Sequence, residues 1–391
     1  MKEKLWSRNF INSCIANFLM AMAFNLLMPT IPIYLTEVLQ ISHSHIGIVL
    51  SSYALALLLI RPFSGYIIDV FDRKKVFLLS LFIYVAVFFG YLFAATVAVL
   101  VVVRFMHGLA WGVTMVSSNT IAVDIIPPSR RAEGIGYFGI NMNLSMAIGP
   151  FVAMRIFDAF GFHVLVLCGA AMGFLALFCA SFIQPPKREP LTTRPPLSVD
   201  RFILVKALPI FFNQILVAIG WGALVCYTIL YGREIGIENA DMFFLFLALG
   251  MIGARTVSGK YVDRGHIHEV AIIALIIICL SFYAFFCFQS NFAYCSVAFS
   301  MGVGFGMMLP SFQTLFVNMA PADRRGTANS TFLTAFDLGL GAGMLLGGII
   351  AEAYSTKYMY LMGAVLCFCS IFFYIFISRK VYNKYKLDIL S

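Results

Sequence analysis

RPFSGYIIDVFDRKK, residues 61–75, interrupts a chain of 391 residues that is 61% hydrophobic. A weaker copy, RTVSGKYVDRG, begins at residue 255, 194 positions later. The same ungapped offset carries Arg61, Ser64, Gly65 and Asp69 onto Arg255, Ser258, Gly259 and Asp263. Phe105, Gly108 and Gly112 fall onto Phe299, Gly302 and Gly306. Further on, Pro127, Arg130, Arg131, Phe138 and Gly149 fall onto Pro321, Arg324, Arg325, Phe332 and Gly343. Apolar residues would coincide by chance in such a chain; rare Arg, Asp and Pro positions would not. One unit is written twice.

Charged residues make up only 12% of the chain, about half the usual share. A bilayer core needs about 20 apolar residues per helix, and the sequence supplies such runs in succession. The spans fall near 9–35, 45–70, 76–95, 97–124, 134–157, 162–184, 204–230, 240–262, 268–289, 291–318, 327–351 and 356–378. The reading is an all-α membrane protein of twelve transmembrane helices in two parallel six-helix halves. The halves are 1–184 and 204–378, joined by a linker at 185–203 and followed by a tail at 379–391. Proline and charge in QPPKREPLTTRPPLSVDR mark the linker as exposed. The opening MKEKLWSR precedes a run too long for a signal peptide and lacking a small-residue cleavage site, so it reads as a retained anchor.

The net charge of +9 is topological. Twenty Lys and Arg residues fall in the termini, the linker and the loops of one side, against Arg155, Arg233 and Lys357 on the other. Basic loops stay cytoplasmic, so both termini are expected in the cytoplasm of a bacterial-type inner-membrane protein. No basic stripe with interleaved aromatics suggests a nucleic-acid partner. The nine cysteines have no metal or redox spacing and read as small packing residues. No P-loop, GxSxG, HExxH or nucleotide fingerprint is present, so neither an enzyme nor a cofactor is expected. Nothing in the sequence calls for an oligomer; a monomer in the lipid bilayer with a small-molecule substrate is the expectation.

GYIIDVFDRKK, with Gly65, Asp69, Arg73 and Lys74, resembles the loop signature between helices two and three of the major facilitator superfamily; Asp72 stands where that family usually has glycine. RFMHGLAWG, with Arg104 and Gly108, is similar to its fourth-helix motif. GYFGINMNLSMAIGPFVA resembles the fifth-helix motif of its antiporters, with Ser145 and Ala153 where glycines are common. The resemblance covers the whole chain. It implies a cytoplasmic gate, made when the substrate site faces outward and broken when it opens inward. Gly65, Asp69, Arg73 and Lys74 would form one copy and Gly259, Asp263 and Arg264 the other, with Arg130 and Arg324 beside them. An acid at a helix C-terminus opposes the macrodipole, so Asp69 and Asp263 need cations or another helix's N-terminus nearby.

Residues that break the repeat are the candidates for coupling, because substrate and ion are single objects at a pseudo-symmetric site. Asp337 matches Asn143, Arg104 matches Ala298 and His107 matches Met301. Asp337 falls about ten residues into its span, about 15 Å deep. A charge there costs about 2.5–3.5 kcal/mol, so it reads either as a proton carrier or as a structurally paired acid. Arg104 and His107 share a helix face and join it as coupling candidates. Arg61 and Arg255 are symmetric and read as snorkelling or gate-supporting. Asn25, Trp111, Asn143, Gln214, Trp221, Tyr227 and Gln313 are candidates for the cavity wall. The expected function is proton-coupled export of a small organic compound, a drug or metabolite, by alternating access. A symporter or facilitator importing a sugar or organic acid stays open, as does a transporter-like sensor or scaffold.

Overall fold

The computed structural model describes residues 4–35, 43–94, 96–186, 199–237, 240 and 242–387. Most of the linker, 187–198, and the chain end, 388–391, lie outside the described residues. The first half comprises α1 (Arg8–Ile33), α2 (His43–Val70), α3 (Arg73–Gly90) and α4 (Val97–Ile125). A 51-residue helical segment, Arg131–Ser181, completes it. Gly161 breaks that segment with a φ of +79°, a conformation that costs glycine nothing and other residues a clash. The break yields α5 (131–160) and α6 (162–181). The second half comprises α7 (Leu208–Glu234), α8 (Met242–Asp263), α9 (Ile267–Cys287), α10 (Asn291–Asn318), α11 (Arg325–Ala353) and α12 (Lys357–Phe373). Among the described residues eleven segments are long and apolar enough to cross a membrane, and the break at Gly161 divides the 51-residue segment in two, giving twelve helices. No strand occurs among the described residues.

Several helix starts are written locally. Ser7, Asp72, Thr96 and Ser290 each accept a hydrogen bond from the backbone amide three residues on, satisfying donors that a helix leaves orphaned at its first turn. Asp72, at the family's usual glycine position, is therefore the N-cap of α3. Each half has its own apolar core. One gathers Tyr84, Phe88, Leu100 and Leu165; the other gathers Phe243, Phe282, Phe285, Tyr294 and Tyr360. Phe63, Leu79, Phe178, Leu280 and Phe376 are exposed on the outside of the bundle, as side chains in contact with lipid should be.

The halves meet through α2 against α11 and α5 against α8. Lipid tails are as apolar as leucine, so such seams are held by close backbone approach and polar contacts. A Cβ at Gly65 would lie 2.7 Å from Cβ of Ser330 and 2.9 Å from Cα of Thr327; one at Gly259 would lie 2.6 Å from Cα of Glu133. The repeat therefore places a glycine at a close approach of the two halves on each seam. Residues 379–385, expected in the tail, are helical: α12 continues through a π-helical turn, Tyr374–Ser378, into Arg379–Tyr385. That end is docked, with Asn318 donating to the Tyr382 hydroxyl (3.3 Å) and accepting at its carbonyl from the amide of Leu387 (2.9 Å).

Candidate functional site

Helices α5 and α11 begin after Arg130 and Arg324, neither of which caps the helix with its side chain. Their free amides are served from the opposite half. Asp69, at the end of α2, accepts from the amides of Gly326 and Thr327 (2.7 Å each) and from the Thr327 hydroxyl (2.8 Å). Asp263, at the end of α8, accepts from the amides of Ala132 and Glu133 (2.8 Å each). Each carboxylate opposes the dipole of its own helix and meets the positive end of another. The 194-residue offset relates both acids and all four amides, so these are two copies of one clasp. Both lie on the face of the bundle that carries the basic loops.

The copies differ in their cations. Arg73 is buried, donates to Asp69 (3.1 Å) and to the Ala322 carbonyl (2.9 Å), and pairs with Asp124. Asp124 also receives Arg325 (2.8 Å) from the other half. In the second copy Ile267 stands for Arg73 and Asn318 for Asp124, and Arg131 donates to the Asn318 side-chain oxygen (2.9 Å). Asp124 was missed because a single acid near the end of a span resembles any loop residue. Its match with Asn318 is the signal that could have found it. Lys74 is half-exposed and stands outside the clasp; Arg264 is exposed and lies 5.9 Å over the ring of Tyr261. Helix N-termini, and in the first copy Arg73, do what these two cations were expected to do. Arg130 forms a two-bond pair with Glu133, which raises its guanidinium above the ordinary value. Arg324 pairs with Asp200 of the linker (2.6 Å).

Deeper in the bundle, Arg61 of α2 donates from Nε to Asp337 of α11 at 2.6 Å. This pair spans the two halves, and Arg61 is 3% exposed. The expectation that Arg61 snorkels is corrected: a snorkelling head needs water, and this one is sealed against a carboxylate. Arg104 does not join Asp337. It lies 4.6 Å over the ring of Tyr53 and touches the Met28 sulfur at 3.6 Å, with Nε and Nη1 buried and unpaired. His107 sits among the rings of Tyr53, Tyr84, Phe88 and Tyr91, its Nδ1 3.0 Å from the Tyr91 hydroxyl. No acid among the described residues contacts it.

Several cavity candidates are occupied by the protein itself. Asn25 donates to Ser145 (2.7 Å) and to the Ala21 carbonyl (2.9 Å), tying α1 to α5. Trp111 stacks on Phe24 at 4.6 Å, and Trp221 packs edge-on against Phe305 at 4.7 Å. The Tyr227 hydroxyl donates to the Met344 carbonyl (2.9 Å). Gln313 belongs to the clasp face, where it donates to Asn119 across the halves (3.2 Å) and to Asn329 (2.8 Å). Two candidates stay available: Asn143 keeps an unpaired side-chain nitrogen, and Gln214 is fully buried with both polar atoms unpaired.

Twelve helices in two repeat-related halves, clasped along one face around a buried cross-half ion pair, define a multi-pass membrane transporter; the protein is not an enzyme. The sequence profile of the Major Facilitator Superfamily matches residues 13–269 and 248–387. The chain belongs to that superfamily. The staphylopine export protein of Staphylococcus aureus is 24% identical over 82% of this chain and 84% of its own. Multidrug resistance protein MdtG of Salmonella arizonae is 23% identical over 96% of each. Among solved structures, the human organic anion transporter MFSD10 superposes with a TM-score of 0.79 at 16% identity, covering 94% of this chain and 98% of that one.

Proposed function

We propose that the protein exports a small organic compound in exchange for protons, with the basic face cytoplasmic and this state therefore open toward the outside. The observation that carries the proposal is the Arg61–Asp337 pair, which joins the halves and has no counterpart acid in the repeat. Protonating Asp337 removes the charge that holds Arg61, so the pair weakens when a proton arrives and reforms when it leaves. A pair that must part as the halves rock thereby links the proton to the conformational cycle. The direction is supported by the relatives' names, one an exporter and one a multidrug resistance protein.

The test uses inverted membrane vesicles with a proton gradient and a lumenal pH dye, challenged with lipophilic cations, antibiotics, sugars and organic acids. Export predicts proton release from the lumen when a substrate is added, lost in Asp337→Asn. Proton movement in the co-transport sense refutes exchange. Equal responses from wild type and Asp337→Asn refute the coupling role.

A further inference from the structure

Arg61 has a repeat partner in Arg255, and Asp337 has one in Asn143. The first pair is a closed guanidinium–carboxylate contact; the second has the guanidinium and lacks the carboxylate. Arg255 is buried, 6% exposed. It forms no ion pair or hydrogen bond among the described residues, and its Nε is sealed from solvent. Its guanidinium lies against Gly139 of α5, in the space where a side chain at that position would begin. Asn143 is one helical turn further along the same face of α5, with its own unpaired nitrogen. Asn143 also lines, with Met146, Leu247 and Met251, a separate small niche of about 10 Å³ between α5 and α8 that Arg255 does not reach, room for one water-sized atom.

A buried guanidinium without an anion is costly, and a structural arginine acquires a partner as Arg61 has done. Of the deep guanidiniums, Arg61 is paired with Asp337, while Arg104 and Arg255 have no carboxylate partner among the described residues. We infer that Arg255 and Asn143 form the anion subsite of the transporter and that its substrate carries a carboxylate, which takes at the α5–α8 seam the place that Asp337 holds at the α2–α11 seam. Arg255 supplies charge and N–H donors, and the Asn143 amide donates to the same group. This deepens the export reading and rests on it for the direction of transport, though not for the binding event.

The test is equilibrium binding to the purified full-length protein, by thermal unfolding and by tryptophan fluorescence. The probes are citrate and a matched series of one shape: benzoate, its neutral amide benzamide and the cation benzamidine. The carboxylates should bind wild type, and Arg255→Gln should weaken them by about tenfold or more, the loss of a charge-assisted bond. Arg255→Gln should also unfold at a higher temperature, because it removes an uncompensated buried charge; an arginine with a structural role would lower it. Asn143→Asp supplies the missing carboxylate from within, and should raise the unfolding temperature and abolish citrate and benzoate binding together. Carboxylates without effect on wild type at millimolar concentration overturn the inference, as does binding that survives both substitutions. Carboxylate binding without proton movement in vesicles refutes export alone. Proton exchange driven by lipophilic cations and unchanged in Arg255→Gln refutes the anion subsite alone.

Discussion

Neutralising the two clasps should have unequal effects, and the structure sets the ratio. Asp69 accepts three hydrogen bonds from α11 and a fourth from Arg73; Asp263 accepts two from α5. Replacing either acid by asparagine keeps its shape but removes the charge and turns one accepting oxygen into an NH2 donor, so its bonds are weakened or lost at about 1 kcal/mol per bond. Asp69→Asn then destabilises the clasped state by about 4 kcal/mol and Asp263→Asn by about 2 kcal/mol. At about 1.4 kcal/mol per decade, these are shifts of nearly a thousandfold and about thirtyfold toward the state open at the basic face. Phe93 and Phe292 are exposed on the opposite face, at 80% and 83%, and suit spin labels on cysteines once exposed Cys226, Cys287 and Cys369 are replaced. Wild type should show mainly the long inter-label distance in double electron–electron resonance. Asp69→Asn should populate a shorter distance as that face closes, and Asp263→Asn should do so much less. Equal shifts in the two variants, or no shift in Asp69→Asn, would show that helix capping does not govern the equilibrium.

The remaining predictions use the same seams. Arg61→Gln or Asp337→Asn alone leaves a buried charge unpaired and should cost about 3–5 kcal/mol; the double variant should unfold at a higher temperature than Arg61→Gln, read by scanning fluorimetry. Gly65→Ala forces a methyl into a gap of 2.7 Å, an overpacking cost of about 1–3 kcal/mol. It falls on the clasped state, so the spin-label distance should shorten as it does in Asp69→Asn. Asn318→Asp gives Arg131 the carboxylate that Arg325 finds in Asp124. It should tighten the second clasp and slow turnover in proteoliposomes while leaving ligand affinity within about twofold.

The offset of 194 residues made the architecture legible, because rare charged and small residues recur only where both halves need them. Asp69, Asp263, Gly65 and Gly259 are such residues, and each lies where one half touches the other. The neutral polar residues were not legible: Asn25 and Gln313 differ from Asn143 and Gln214 only in whether a protein atom has taken their hydrogen bonds. Neither composition nor spacing records that. Lys74 and Arg264 misled for a related reason. Cations and another helix's N-terminus were both open as partners for the two acids, and spacing does not choose between them; backbone amides, which every helix start exposes, do most of the capping.

The same repeat carries more than it first yields if its mismatches are read as pairs. Asp337 opposite Asn143 singles out one acid; placed beside Arg61 opposite Arg255, it shows a complete ion pair facing an incomplete one. Asp124 opposite Asn318, beside Arg73 opposite Ile267, does the same at the clasp face. In both places the complete set of charges belongs to the α2–α11 seam and the depleted set to the α5–α8 seam. A carrier whose halves part along two seams of unequal strength has a preferred place to yield. The weaker seam is also the one that holds an unsatisfied guanidinium, where a bound anion would supply the attraction that the sequence leaves out.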